Sequence, residues 1–182
     1  MATKLRATVE DLYGIEGKAE IVDGELVIMS PTGDFPAIAA GEIFASLRDH
    51  ARKTRVGRAY TDNAAFVTDL PNRRSFSPDA SYYVGPRAGM KFLPAAPAFA
   101  VEVRSEGDYG RGAERALSSK RADYFAAGTL VVWDVDLLGD EVVRVYRSDN
   151  PEDPTVYKRG ELAEAEPAVP GWTMAVDDLF ME

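Results

Sequence analysis

The chain has 182 residues, of which 46% are hydrophobic, and a formal net charge of −9. It has no cysteine and one histidine, so disulfides, thiolate metal sites, a cysteine nucleophile and histidine-rich zinc sites are excluded. Any metal must have oxygen ligands, which select hard cations such as Mg²⁺, Mn²⁺ or Ca²⁺. The length fits one domain over residues 1–182. No signal segment or run of roughly 20 apolar residues is present, so we expect a cytoplasmic protein that does not bind membranes.

The first third of the chain predicts two helices and a hairpin. Thr8 is a suitable N-cap, and Asp23-Gly24 between apolar flanks is a strong hairpin signal. Apolar residues at helical spacing then predict an amphipathic helix. In chain order we expect a helix or arm over residues 5–13, a hairpin over residues 20–29, a helix from about Pro36 to Lys53 that Gly57 closes, and one strand or a bent pair over residues 59–68.

The rest of the chain predicts strands around one crossover helix. In chain order we expect a strand that Asp79 opens, a loop over residues 85–97, a buried strand over residues 98–103, a helix from about Ala113 to Ala127, a buried strand over residues 130–135, an alternating strand over residues 142–146, an edge strand over residues 155–158, and a tail that packs back on the body. A helix between two buried strands implies a parallel crossover, whereas hairpins are antiparallel. The sequence therefore predicts an α/β fold with a mixed central sheet flanked by helices.

Three ionisable residues stand in otherwise apolar elements. Asp79 opens a strand, Glu102 lies inside an apolar strand, and Lys120 lies on the apolar face of the next helix. A buried unpaired charge costs several kcal/mol, so these groups either neutralise one another or hold a cation. Two carboxylates on adjacent strands can hold a metal ion, and a nearby ammonium can orient water or stabilise developing charge. Phosphodiester hydrolysis needs this combination.

Several short motifs follow one another along residues 15–150: Glu20-Ile21-Val22-Asp23-Gly24-Glu25-Leu26, Met29-Ser30-Pro31, Pro78-Asp79, Val101-Glu102-Val103 with Ser105, Lys120 with Tyr124 and Gly128, and Val132-Trp133-Asp134. In this order and spacing they resemble the Uma-two family, a large bacterial group of restriction-endonuclease-like, PD-(D/E)xK domains. The resemblance implies a restriction-endonuclease-like fold. It also implies a metal-dependent endonuclease that hydrolyses phosphodiester bonds of DNA.

The resemblance also implies roles for individual residues. Asp79 and Glu102 would bind the Mg²⁺ or Mn²⁺ ion, with the main-chain carbonyl of Val103 as a further ligand. Lys120 would supply the catalytic lysine from the helix. Arg104 stands where the usual motif has its lysine, so it is the second candidate for that role. Three further acids are accessory candidates for the same cleft: Asp134, Glu25 and Glu42.

An acidic chain can bind nucleic acid only through local basic clusters. The candidate contacts are Arg73, Arg74, Arg111, Arg115 and Arg121. A homodimer would double these clusters and suit cleavage of two strands. Two alternatives stay open. The first alternative to the endonuclease is a catalytically inactive nucleic-acid-binding or regulatory domain that keeps the nuclease fold. The second is an interaction module in which Asp79, Glu102 and Lys120 form a structural ion pair.

Overall fold

The structure is a computed structural model that describes residues 6–180. In chain order its elements are α1 (Val9–Tyr13), β1 (Ala19–Val22), β2 (Glu25–Ile28), α2 (Asp34–Thr54), β3 (Arg58–Thr61), β4 (Phe66–Val67), β5 (Ser75–Phe76), β6 (Ala80–Tyr83), β7 (Phe99–Val103), α3 (Arg111–Ala126), β8 (Val131–Val135), β9 (Val143–Arg147), β10 (Asn150–Tyr157), β11 (Leu162–Glu164), β12 (Thr173–Ala175) and a 3₁₀ helix (Val176–Phe180).

A six-stranded mixed sheet forms the centre of the molecule, with strand order β10-β9-β8-β7-β6-β3. Strands β7 and β8 are parallel and α3 connects them, whereas the other neighbouring pairs are antiparallel. Strand β10 forms one edge, as expected, although it is longer than the sequence pattern indicates. The predicted α/β fold with a mixed sheet is confirmed.

Local sequence signals account for the N-terminal elements. Thr8 caps α1 through reciprocal hydrogen bonds with Asp11, which is a capping box with Asp in place of the usual Glu. Asp23 and Gly24 have φ of 52° and 79°, as the turn of a tight hairpin requires. The hairpin β1–β2 is confirmed. Of the helix or arm predicted over residues 5–13, the structure forms a helix from Val9 to Tyr13, and residue 5 lies outside the described residues. Residues 59–68 form a pair of strands that separate: β3 joins the large sheet, and β4 pairs with β5.

The second helix has nearly the predicted bounds, but a different residue closes it. It ends at Thr54, and Arg55 adopts a left-handed conformation with φ of 59° while its N–H bonds to the Ala51 carbonyl at 2.8 Å. The expectation that Gly57 closes the helix is therefore wrong. Gly57 has φ of 63°, and a Cβ added there would lie 2.4 Å from the Tyr82 ring. A glycine is needed at this position because the aromatic ring packs against the bare main chain.

The two faces of the sheet carry different layers. On one face, Ile43 of α2 packs in a cluster with Val101 and Trp133. On the other face, Tyr124 of α3 packs in a cluster with Ala100 and Val132. Because side chains alternate along a strand, Glu102 and its paired neighbour Asp134 point to the α3 face. This alternation brings charged residues of the sheet under α3.

The C-terminal segment covers the α2 face. Trp172 packs with its ring centroid 5.1 Å from that of Trp133 and 5.7 Å from that of Phe99, and its indole Nε1 donates to Ser46 Oγ at 3.0 Å. These contacts tie the segment to both the sheet and α2.

Between residues 6 and 180, the helices lack the combination of length and apolar character that crossing a membrane would demand.

Candidate functional site

Asp79 lies at the junction of two adjacent strands. It directly precedes β6, and its main-chain N–H bonds to the Val101 carbonyl of β7 at 3.0 Å. Its side-chain Oδ2 accepts a hydrogen bond from the Val103 N–H at 2.8 Å. The structure therefore places Asp79 next to the strand that carries Glu102, as the sequence pattern predicts. The position of the Val103 carbonyl as a metal ligand stays a prediction.

Lys120 and Tyr124 reach Glu102 from the helix above it. Lys120 Nζ donates to Glu102 Oε2 at 2.8 Å, and the Tyr124 hydroxyl donates to Glu102 Oε1 at 2.6 Å. The two helical residues are one turn apart and so share a face. The parallel crossover thus brings Lys120 onto the predicted carboxylate. The metal-binding and catalytic roles of these residues remain predictions.

Glu20 is a third carboxylate of this site that the sequence reasoning missed. It lies in β1 with a side chain only 3% exposed, and its Oε1 lies 3.0 Å from Lys120 Nζ. The Ser77 N–H also bonds to Oε1, at 2.8 Å, and Arg73 Nη1 bonds to Oε2 at 2.6 Å. A signal existed, because Glu20 stands in a strand beside apolar Ile21 just as Glu102 stands beside apolar residues.

Lys18 is a second residue that the sequence reasoning missed. Its ammonium lies 2.6 Å from Asp79 Oδ1 and 2.6 Å from Asp62 Oδ1. The Lys18 side chain is largely buried, whereas Asp62 is partly exposed at the end of β3. A single lysine after a glycine reads as a solvent-exposed residue, so the sequence carries no signal for this contact.

These contacts form two groups of ion pairs, one around Lys18 and one around Lys120, and the charges of Asp79 and Lys18 act on Glu102 across the gap. We call the two groups together the charged cluster. It contains the carboxylates Glu20, Asp62, Asp79, Glu102 and Asp123 and the cations Lys18, Arg73 and Lys120. With every group ionised, five negative charges face three positive ones. The cluster therefore has two more negative than positive charges. Asp62 is 42% exposed, and the other seven groups are largely buried, where an unpaired charge is costly.

The pKa values of the two carboxyls that contact Lys120 are shifted in opposite directions. Burial raises the pKa of Glu102, Lys120 opposes this rise, and the negative charge of Asp79 reinforces it. Burial also acts to raise the pKa of Glu20, but Lys120 and Arg73 outweigh it and hold that pKa below the usual range. Of these two carboxyls, Glu102 is therefore the one whose ionised form is disfavoured by its surroundings.

The donors of the charged cluster keep their protons. Burial acts to lower the pKa of Lys120, but Glu102 and Glu20 outweigh it and raise that pKa above the ordinary lysine value. Burial also acts to lower the pKa of Lys18, but Asp79, Glu102 and Asp62 together outweigh it and raise that pKa. Burial, with the adjacent Glu102 carboxylate, raises the pKa of Tyr124 far above the usual range. All three groups act as hydrogen-bond donors near neutral pH.

The lowered pKa of Glu20 leads us to expect an acid-dependent loss of stability. Since the folded pKa lies below the ordinary value of 4.5, the contribution of Glu20 to the unfolding free energy is complete above about pH 4.5 and is lost as the pH falls through the folded pKa. Glu20→Gln should therefore be less stable than wild type at neutral pH and lose less further stability on acidification.

Urea unfolding at about pH 7 and about pH 3 measures this difference. Glu152→Gln, a change at an exposed position of β10, is the matched control and should follow wild type at both pH values. Equal losses on acidification in Glu20→Gln and wild type would contradict the assignment of Glu20 as an ionised, paired carboxylate.

Arg104 and Asp134 belong to a separate ion-pair network. Arg104 Nε and Nη2 donate to the two oxygens of Asp134 at 2.7 Å and 2.8 Å, a bidentate pair that fixes both side chains. Nη1 and Nη2 of Arg104 also bond to Glu114 of α3. In the structure Lys120, and not Arg104, contacts Glu102, whereas the Arg104 guanidinium bonds to Asp134 and Glu114. Which of the two fills the catalytic lysine role stays a prediction.

The five arginines predicted to contact nucleic acid differ in their settings. Arg73 is buried between Glu20 and Asp123, so its expected place on a basic surface is wrong. Its neighbour Arg74 is half exposed and lies 3.3 Å from Asp69. The remaining three lie on α3: Arg111 and Arg115 are exposed, and the guanidinium of Arg121 lies 3.6 Å from the ring centroid of Tyr146. Nucleic-acid contacts by these last four arginines stay predictions.

The other two accessory acids lie on separate elements. Glu25 is an exposed residue at the start of β2. Glu42 is half-buried in α2, next to Gly41, which lines a cavity beside Asp79. Accessory roles for both residues remain predictions.

Comparison with known proteins assigns the chain to a family. The family model Uma2, described as "Putative restriction endonuclease", matches residues 7–177. The chain belongs to the Uma2 family. This Uma2 chain is also similar to a crystal structure described as a "putative nuclease belonging to DUF820 from Anabaena variabilis ATCC 29413". That match has a TM-score of 0.73 and 16% sequence identity and covers 96% of this chain and 97% of the other, which confirms the restriction-endonuclease-like fold. No curated protein matches the chain.

The charged cluster of this Uma2 chain fits a divalent cation that has few protein ligands. Within residues 6–180, no three His, Cys, Asp or Glu side chains converge to hold a metal ion. Mg²⁺, however, usually binds through one or two carboxylates and keeps several waters. Asp79 and Glu102 offer two such carboxylates close enough for one to raise the pKa of the other. The excess of negative over positive charge in the cluster as a whole favours a cation.

Proposed function

We propose that this Uma2 chain is a metal-dependent endonuclease that hydrolyses phosphodiester bonds of DNA, with Mg²⁺ or Mn²⁺ as its cofactor. The observation that carries the proposal is the position of Lys120 Nζ, 2.8 Å from Glu102 on the strand next to Asp79. An acid on each of two adjacent strands, with an ammonium above them, supports phosphodiester chemistry. The nuclease description of the family supports the same reading.

In this proposal Asp79 and Glu102 bind the metal ion, with the Val103 carbonyl as a third ligand. A bound divalent ion would neutralise charge on the scissile phosphate and lower the pKa of an attacking water. The chain itself holds the carboxylates in place: the Val103 N–H fixes Asp79, and the Tyr124 hydroxyl fixes Glu102. Both donors belong to regular elements, which limits the movement of the acids.

Lys120 is proposed to position the attacking water and to steady the charge that develops on the phosphate. An ammonium has three N–H donors, and two of them point to Glu102 and Glu20. The third remains for a water or a phosphate oxygen. The two acids also keep Lys120 protonated, so it acts as a donor and an electrostatic stabiliser rather than as a base.

The substrate would be held by local basic residues, because the chain as a whole carries a net charge of −9. Arg111 and Arg115 are exposed at the start of α3, the helix that carries Lys120. With Arg74 and Arg121 they are the proposed contacts to the DNA backbone. A homodimer in the cytoplasm would present two such surfaces and two sites, one for each strand of a duplex.

A second candidate function is favoured by the hydrogen bonding of the same carboxylates. Both oxygens of Asp79 already have protein donors, in Lys18 and the Val103 N–H. Both oxygens of Glu102 are likewise bonded, to Lys120 and Tyr124. The same contacts would be present in a non-catalytic domain in which these ion pairs only stabilise the fold. Such a domain would bind nucleic acid or have a regulatory role.

A metal titration separates the two functions. Wild type should bind Mg²⁺ or Mn²⁺ in calorimetry and cut plasmid or single-stranded DNA only when the metal is present. Asp79→Ala should lose both properties. Asp69→Ala, at an aspartate that is 93% exposed, is the matched control and should keep both.

If wild type binds neither ion, and Asp79→Ala changes only the thermal stability, the ion pairs are structural and the nuclease proposal fails. Metal binding without cleavage of either DNA substrate would favour the non-catalytic function.

A further inference from the structure

Lys18 occupies the oxygen of Asp79 that a metal ion would need. Asp79 Oδ2 accepts the Val103 N–H at 2.8 Å, so Oδ1 is the oxygen left for a cation. The Lys18 ammonium lies 2.6 Å from that Oδ1. The Lys18 side chain is 13% exposed, which makes the ammonium part of the site rather than a surface group.

A second acid gives the ammonium another place to bind. Asp62 Oδ1 also lies 2.6 Å from Lys18 Nζ, and its side chain is 42% exposed. Lys18 can therefore leave Asp79 and keep an ionic partner nearer to solvent. Lys120 has no such choice, because both of its partners, Glu102 and Glu20, are largely buried.

There is space for waters on the side of Asp79 that faces α2, away from Glu102. A cavity of about 200 Å³ lies beside Asp79 and Asp62, between β3 and the first turns of α2. One water takes about 30 Å³ in the liquid, so the cavity can hold several. Thr32 and Thr61 line it as well, and their hydroxyls can bond to such waters.

We propose that Lys18 is the resident counterion of the metal site, and that a divalent cation binds Asp79 by displacing the Lys18 ammonium toward Asp62. The inference rests on the proposed metal binding at Asp79. Two cations on one carboxylate oxygen repel each other strongly in a partly buried setting. Lys18 therefore weakens metal binding and keeps Asp79 neutralised when no metal is bound.

Neutral and charged substitutions of Lys18 test the competition. Lys18→Gln should bind Mn²⁺ at least about tenfold more tightly than wild type in calorimetry, because it removes the competing charge and keeps a hydrogen-bond donor. Lys18→Arg should bind like wild type, since the competing charge is restored. Lys158→Gln, at an exposed position after β10, should also bind like wild type.

Amine labelling of the wild-type chain gives a readout that needs no variant. Displacement toward Asp62 should make Lys18 react faster with an amine reagent when Mn²⁺ is present, as peptide mass spectrometry would show. Labelling of Lys158 should not change. If Lys18→Gln does not fold, this labelling measurement tests the counterion role of Lys18 by itself.

The outcomes separate this inference from the proposed function. If wild type binds Mn²⁺ through Asp79 but Lys18→Gln binds no more tightly, or if Mn²⁺ leaves the labelling of Lys18 unchanged, the counterion role alone is overturned. If neither wild type nor Lys18→Gln binds Mn²⁺, the proposed metal-dependent function fails and the counterion role fails with it.

Discussion

Arg73→Met is expected to lower the unfolding free energy by about 3–5 kcal/mol, the typical cost of removing one partner of a buried ion pair. Arg73 bonds to Glu20 at 2.6 Å and to Asp123 at 2.8 Å, and its side chain is 7% exposed. Methionine can fill the space over the Phe76 ring, which the guanidinium covers at 5.1 Å. It takes the ion pair from buried Asp123 and leaves Glu20 with Lys120 as its remaining cation, and this is the source of the loss.

The adjacent arginine is a matched control. Arg74 is 50% exposed, and its partner Asp69 is 93% exposed, so Arg74→Met should change stability by no more than about 0.5 kcal/mol. Urea unfolding of both variants and of wild type measures the difference. The comparison requires that the slope of the unfolding free energy against urea concentration is the same for all three proteins. Similar losses in the two variants would show that burial of the Arg73 pair is not what stabilises this part of the fold.

The contrast between these two arginines shows where sequence reasoning reaches its limit. Arg73 and Arg74 read as one basic pair at a turn, yet only Arg74 faces solvent. Alternation along an extended chain sends neighbours to opposite sides, but it does not say which side is covered. Here Arg73 forms an isolated bridge with Val22 of β1. The position of the hairpin decides the burial, and no local pattern encodes that position.

Other features were predictable because their signals are local. The capping box of α1 and the Asp23-Gly24 turn depend on residues a few positions apart. The parallel crossover follows from a helix between two buried strands, and it carries Lys120 to Glu102 without further information. The three central residues could therefore be found from periodicity and spacing.

The partners that complete the site were not predictable in the same way. Glu20 meets Arg73 across 53 positions of the chain, and Lys18 meets Asp79 across 61. Each contact requires the N-terminal hairpin to lie beside the large sheet, which is a tertiary arrangement rather than a local propensity. The sequence shows that a buried acid needs a partner, but it does not say which cation reaches it.

Lys120→Met is expected to lower the rate of metal-dependent DNA cleavage at least about 100-fold while metal binding persists. The loss of one preorganised electrostatic donor typically costs about 10²–10³ in rate. Lys120 is the ammonium that contacts Glu102, and its removal leaves Asp79 and its contacts in place. Single-turnover cleavage and Mn²⁺ calorimetry on the same samples measure the two properties separately.

The control must carry a comparable loss of an ion pair far from the site. Arg147→Met fits, because Arg147 on β9 pairs with Glu164 and bonds to Thr155 Oγ1 at 2.9 Å, well away from the charged cluster. It should cleave like wild type once both are compared as folded protein. If Lys120→Met also cleaves like wild type, the water-positioning role is wrong. If it loses cleavage and Mn²⁺ binding together, Lys120 acts by maintaining the metal site, because Glu102 then lacks the cation that holds it.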